Sequence, residues 1–351
     1  MRRKWPPAVL EKRAEGMTNL RPRAGTVCVA VHSPRADLLE RQIRSIAAQS
    51  LTDWECLVGI DGYNPQTLRL LQVMVAGDSR FRLLEFSSNV GFYRNFERIL
   101  REVDPKSAWV ALADQDDEWY PHKLELLVSS LERDQSLAVA GQARVVSAEG
   151  GLRAVTRRRE SCLLSLIYDN QVTGSFAVFA RGVIELALPF PEPTDSSYHD
   201  HWLGVCAKAA GGVRILPDIV QDYVQHGGNA LGEDTGINWR TRLDRLRSKG
   251  LNLTDSLDYL AIHRWGWRVL IAREIRARIP RALDDRGIRT LAIGRNPLLP
   301  ICHLLAYCLR GEVPPARGLG LALGAAWAWI RWVSRSPLPG LNTLTREASG
   351  Q

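Results

Sequence analysis

The sequence predicts an α/β fold: a mostly parallel sheet flanked by helices, followed by a helical C-terminal extension. Three observations carry this. Short β-branched runs alternate with amphipathic segments over residues 26–146. Two of those runs end in acidic residues, at Asp61-Gly62 and in the cluster 114–117. After Trp239 the strand pattern stops, and helical spacing broken by Pro280, Pro297, Pro300, Pro314 and Pro315 takes over. A chain of 351 residues is long enough for one large α/β domain with an added helical region. With 45% apolar and 24% charged residues it is not a disordered, collagen-like or disulfide-dense protein.

Residues 26–31 (TVCVAV) read as a buried strand because the run is apolar and β-branched without alternation. Residues 36–48 carry Leu38, Leu39, Ile43, Ile46 and Ala47 at helical spacing. Residues 55–60 (ECLVGI) make the second strand, and Pro65 opens a helix over 65–75. A third strand is expected at Phe81–Glu85, a helix at 92–101 and a fourth strand at Trp109–Ala113. Pro121 starts a helix that runs to about Asp134, and 138–146 is another strand. Residues 147–160 are polar and Arg-rich and read as a mobile loop. Beyond them, 175–180 is a strand introduced by Gly174, 201–210 is helical and 219–224 is strand-like. Sheets of this kind bind ligands at the carboxyl ends of their strands, where Asp61 and the 114–117 cluster fall.

The net charge of +8 is uneven. From Arg240 onward there are 19 Lys and Arg against 8 Asp and Glu, whereas residues 1–239 hold 27 against 30. Interleaved acidic residues and the lack of a nucleic-acid module argue against a nucleic-acid partner. A basic tail rich in Trp and Leu suits an anionic membrane surface. Its apolar stretches, 298–309 and 318–330, fall short of the roughly 20 residues of a spanning helix. Arg2, Arg3 and Lys4 are followed by Trp5-Pro6-Pro7 rather than an apolar run, so no signal peptide is expected and 1–24 reads as a flexible basic arm. The six cysteines form no CxxC pair and are expected as buried free thiols of a reducing cytosol. The expected location is therefore cytoplasmic, peripheral on the inner face of the membrane, with 25–238 as the α/β domain and 239–351 as a basic helical region.

Four places carry candidate chemistry. In ALADQDDEW a buried strand delivers Asp114, Asp116 and Asp117 onto one turn. Like charges that close repel, and a hard divalent cation shared with a diphosphate relieves the cost; the alternative is a solvated acidic turn. Asp61-Gly62 is either a plain turn or a carboxylate that grips a nucleoside. His199-Asp200-His201 precedes a helix expected near Trp202. There Asp200 is either its N-cap or a general base oriented by the flanking imidazoles. In Gln225-His226-Gly227-Gly228-Asn229 the glycines allow close backbone approach, and His226 is a candidate metal ligand or phosphate donor.

In their order, VCVAV, IRSIAAQS, WECLVGIDG, SNVGFYRNF, ALADQDDEW, NQVTGSFAVFAR, YHDHW and VQHGGN resemble family 2 of the inverting glycosyltransferases, which have the Rossmann-like GT-A fold. The pattern is most similar to a rhamnosyltransferase-like subgroup. The resemblance spans about residues 25–232 and leaves the tail outside. It implies that Asp61 contacts the nucleoside and that Asp114 and Asp116 are the DxD pair, with Asp116 the direct ligand of Mn or Mg. It further implies that Asp200 is the base, that Gly174 lines the acceptor side and that His226 binds metal or diphosphate. The implied donor is a nucleotide sugar, dTDP-rhamnose or a UDP-sugar, and the acceptor a glycan or lipid-linked glycan of polysaccharide assembly. Many members carry two acidic residues and then Gly-Ser after the second strand, where this chain has Ile60-Asp61-Gly62-Tyr63, so the donor base stays open. Two other readings compete. A sugar-1-phosphate nucleotidyltransferase should have a Gly-rich basic loop after its first strand, and His32-Ser33-Pro34-Arg35 does not fit. A non-catalytic membrane-docked scaffold has no need of Asp61, Asp116 and Asp200 together.

Overall fold

The structure, a computed structural model, describes residues 25–226, 252–279, 285–294 and 296–334. The expected N-terminal arm and the expected domain boundary at 238/239 lie outside these residues. By contact density the chain divides into two compact units. The first comprises Met1–Glu160, Val172–Phe190 and Cys206–Gly232, and the second Ser161–Gln171, Pro191–Val205 and Glu233–Gln351.

The alternation read from the sequence appears as β1 (Gly25–Val31), α1 (Ala36–Ala47), β2 (Trp54–Ile60), α2 (Pro65–Met74), β3 (Phe81–Glu85), α3 (Gly91–Arg101) and β4 (Trp109–Ala113). A two-residue β5 (Glu118–Trp119), α4 (Lys123–Arg133), β6 (Ala138–Ser147) and β7 (Leu152–Val155) follow. After α5 (Leu163–Tyr168) come a 3₁₀ turn (Gly174–Phe176), β8 (Ala177–Ala180), α6 (Arg181–Ala187), α7 (His199–Ala210) and β9 (Val213–Gln225).

The nine strands of the described residues form one sheet, ordered β3-β2-β1-β4-β8-β6-β9-β5, with β7 paired to β6. From β3 to β4 all pairs are parallel, with Val31 opposite Ile60, Ile60 opposite Glu85 and Val29 opposite Ala113. Four carboxyl ends therefore share one edge. Beyond β4 the sheet is mixed: β8 is antiparallel to β4 and β6, and β9 is parallel to β6. The core under the parallel half joins Leu39, Ile43 and Ile46 of α1 to Val27, Val29 and Val58 of the sheet and Leu124 and Leu127 of α4. Each such side chain, taken from water, contributes about 1.5–3 kcal/mol.

Three local expectations need correction. Within 147–160, Leu152–Val155 is a strand; Gly150, at φ +86°, closes the hairpin and β7 pairs with 144–146. Its side chains are mostly exposed, so the apolar alternation that marks a strand is missing. Ser175 and Phe176 belong to the 3₁₀ turn rather than to the strand. The helix expected near Trp202 starts at His199, which puts Asp200 in its first turn rather than at its cap. All six cysteines are free; Cys28, Cys56 and Cys206 are buried as expected, but Cys162 and Cys302 are exposed.

In the second unit α8 (Leu253–Tyr259) runs through a π turn (Leu260–Trp265) into α9 (Gly266–Arg278), followed by α10 (Arg286–Ile293), α11 (Leu298–Leu309) and α12 (Pro315–Val333). Trp265 and Trp267 are its largest buried side chains beside Trp202 and Tyr168. Gly324 lets α12 approach the π turn: a Cβ there would lie 2.6 Å from the Leu260 carbonyl oxygen. Among the described residues no helix is long and apolar enough to cross a membrane.

Candidate active site

At the end of β1 the backbone turns sharply, and Ser33 takes φ +43°, a strained value for a residue with a Cβ. The preceding His32 ties three strand ends together. Its N–H donates to Gln115 Oε1 (2.8 Å), and Gln115 Nε2 donates back to the His32 carbonyl (3.1 Å). Its Nδ1 lies 3.1 Å from the Asp61 carbonyl oxygen, which can only accept, so Nδ1 carries the proton. Asn89 Nδ2 lies over the ring, 3.3 Å from Nδ1 and 3.4 Å from Nε2, and of the two only Nε2 is then left to accept its proton. His32, Asn89 and Gln115 were not singled out in the sequence; their signal is their position directly after strands.

Asp61 is buried at the end of β2 and accepts three hydrogen bonds from its own unit. Val90 N–H (2.9 Å) and Arg98 (2.6 Å) donate to Oδ1, and Gly91 N–H (2.9 Å) donates to Oδ2. The carboxylate thus holds the start of α3 in place. Gly62, at φ +93°, makes the turn possible, with Asn89 packed where a Cβ would stand.

The acidic turn follows β4. Asp116 is buried, and its Oδ2 lies 2.8 Å from His226 Nε2, so the structure brings these two predicted residues together. Burial raises the Asp116 pKa, and the bond to His226 only partly offsets it. Asp114 is half-buried, and its charge acts on Asp117. Asp117 is fully buried; burial first, then Asp114 and Asp116, push its pKa well up. It is satisfied from β9, accepting from Gln221 Nε2 (2.6 Å) and Val224 N–H (3.1 Å).

Behind this turn lies a buried lysine that sequence reasoning missed. Lys123 Nζ donates to Gln221 Oε1 and to the Ser175 carbonyl, both at 2.5 Å, and sits 3.6 Å from the centre of the Trp119 ring. Burial pulls its pKa well down against the pull of Asp117 and Asp114. One lysine therefore joins the acidic turn, through Gln221, to the turn that starts at the buried Gly174. Its sequence signal is its place four residues before Leu127, on the apolar stripe of α4.

Asp200 belongs to the second unit. It is half-buried in the first turn of α7, at the positive end of the helix dipole. Its Oδ1 accepts from the His201 N–H (2.6 Å) and from Asn170 Nδ2 (3.1 Å). The His201 ring does not orient it. Trp267 Nε1, which can only donate, gives its proton to Nδ1 (3.2 Å), so Nε2 carries the proton and donates to the Leu166 carbonyl (2.8 Å). Burial lowers the pKa of both His199 and His201 to about 3, so both are neutral at physiological pH.

Among the described residues no group of three or more His, Cys, Asp or Glu forms a metal cage. Asp116, His226 and Asp114 nonetheless suit a hard cation that takes its other ligands from substrate phosphates. Gly227, Gly228 and Asn229 lie outside the described residues.

Residues 26–183 match the model of Glycosyl transferase family 2. Uncharacterized protein y4gI of Sinorhizobium fredii is 28% identical over 170 residues, covering 48% of this chain and 18% of that protein. The bifunctional glycosyltransferase pgtA of Dictyostelium discoideum is 28% identical over 101 residues, 28% of this chain and 13% of that protein. The chain thus spans less than a fifth of either relative. In fold it is similar to S. aureus TarS 1–349, solved in complex with UDP-GlcNAc, with a TM-score of 0.51 and 15% identity over 89% of this chain and 92% of that one. The sequence match to family 2 glycosyltransferases is thus confined to residues 26–183, and the fold is of the GT-A type.

Proposed function

We propose that this chain transfers a sugar from a nucleotide-sugar donor to a hydroxyl of a glycan or lipid-linked glycan, with inversion at the anomeric carbon. The observation that carries this is the acidic turn at the carboxyl end of β4, inside the segment that matches family 2, where buried Asp116 meets His226 from the end of β9. Asp116, Asp114 and His226 would hold a divalent Mn or Mg ion, which when bound offsets the charge of the donor diphosphate. His32, Asn89 and the turn that Asp61 holds face the nucleoside. Gly174 lines the acceptor side. Asp200 takes the proton of the acceptor hydroxyl as it attacks, and its bonds from Asn170 and the His201 N–H fix the carboxylate for that task.

A UDP-sugar is favoured as donor by the TarS complex, and dTDP-rhamnose by the subgroup resemblance. The acceptor class and the basic tail favour work at the inner face of the cytoplasmic membrane, with the chain peripheral to it. A panel of UDP- and dTDP-sugars, incubated with and without manganese, tests the reading. Hydrolysis or transfer of one donor, lost in EDTA, is expected; no turnover or binding of any nucleotide sugar would overturn it.

A further inference from the structure

The outer faces of α11 and α12 invert the usual pattern of a surface helix. A helix at a protein surface normally turns a polar face to water. Here every exposed residue of α12 is apolar, led by Leu319 (63% exposed), Leu323, Ile330 and Trp332. The exposed positions of α11 are Leu298, Cys302, Leu305 and Leu309, which follow one another at helical spacing; Leu309 is 90% exposed. The inward residues are apolar as well, with Leu304 in α11 and Leu321, Gly324 and Ala325 in α12. Both helices therefore turn apolar residues inward and to their open side alike. Contiguous open surface of this kind marks an interaction site.

The basic residues do not account for it by attraction alone. Arg317 is engaged by Asp169, and Arg331 lies 3.9 Å from Asp258, which also accepts from Trp327 Nε1 at 2.6 Å. Arg310, at the end of α11, is exposed. No carboxylate stands among the exposed residues of either helix, and the chain from Arg240 onward has 19 basic against 8 acidic residues. Trp329 and Trp332 flank Arg331 at one end of α12, a grouping suited to lipid headgroups. Neither helix is long and apolar enough to span a bilayer.

We infer that the open faces of α11 and α12 are a lipid-insertion surface, which seats the second unit in the interfacial layer of an anionic bilayer chiefly by apolar contact. This rests on the membrane partner read above and changes its physics: insertion holds the chain, and charge adds preference. The test is co-sedimentation of the full chain with phosphatidylcholine vesicles, with and without phosphatidylglycerol, at low and high salt. Binding to both vesicles is expected, tighter with phosphatidylglycerol, and surviving high salt. The double variant Leu319→Ser, Leu323→Ser should bind roughly 10²-fold more weakly, with unchanged melting temperature, since two exposed leucines lose their transfer from water. Full release by salt, with the serine variant binding like the parent, would overturn insertion and leave electrostatic attachment standing. No binding to either vesicle would remove both readings. A parent dimer in light scattering that the serine variant abolishes would assign the face to a second copy of the chain and overturn the proposal.

Discussion

Asp116 and Asp200 are the same residue in opposite surroundings. Asp116 follows a buried strand in the first unit, where burial penalises its charge and the bond to His226 only partly offsets the penalty. Asp200 begins a helix in the second unit, half-exposed, with the helix dipole and two N–H donors under it. A carboxylate of the first kind calls for a cation. One of the second kind is oriented by its donors, as the proposed proton acceptor has to be. The roles proposed for the two aspartates rest on these environments rather than on residue type, and the substitutions below test them.

The largest effect is expected at Asp200. Asp200→Asn keeps the shape and the Asn170 contact but removes the proton acceptor, so transfer should fall roughly 10²–10⁴-fold while donor affinity stays the same. Kinetics with varied donor and acceptor check this; a parallel loss of donor binding would erase the distinction between the two aspartates. Asp116→Asn should do the reverse. Calorimetry should show manganese and donor binding lost together, with kcat down by roughly 10²–10³-fold as the electrostatic support of the leaving group goes. Near-normal turnover in EDTA would show that the buried turn has no need of a cation.

The parallel half of the sheet was legible in the sequence because strands buried on both faces leave continuous apolar runs, as in 26–31 and 109–113, and these bound the acidic turns. β7 was not, since an exposed edge strand such as LRAV carries no alternation. The start of α7 was misplaced because His199 and His201 look polar, although both are buried as neutral rings. Asp116 and His226 were each legible as candidates, but their meeting was not, for 110 residues separate them and the antiparallel pairing of β5 with β9 carries the acidic turn to the end of β9. Lys123 and Gln221 escaped notice for a related reason: a buried lysine is costly, and its partners lie on a distant strand.

That lysine sharpens the comparison from the side of stability. Lys123→Met should cost about 3–5 kcal/mol in urea unfolding, because Gln221 Oε1 and the Ser175 carbonyl would stay buried without their donor. Adding Asp117→Asn to Lys123→Met should return part of the loss, since the buried carboxyl that the lysine favours in its charged form is then gone. A double variant as unstable as the sum of the two singles would mean that the lysine serves only to fill space beside Trp119.

The histidines around Asp200 give the smallest and most specific effect. His201 is locked neutral, with Trp267 donating to one nitrogen and the other donating to the Leu166 carbonyl. Its pKa falls from 6.5 when unfolded to about 3 when folded, chiefly by burial, and His199 shifts to the same value. Between those values the unfolded chain binds more protons than the folded one. Stability is therefore full above the unfolded pKa and lost as pH falls below it toward 3. At 1.36 kcal/mol per pH unit, each ring should cost about 2 kcal/mol near pH 5. His201→Gln can still accept from Trp267 and donate to Leu166 but cannot titrate. Its urea midpoint should lie slightly below the parent at neutral pH, and its decline on acidification should be about half as steep, because His199 still titrates. An unchanged slope would mean that the ring is charged in the fold, and His201 would return as a group able to act on Asp200.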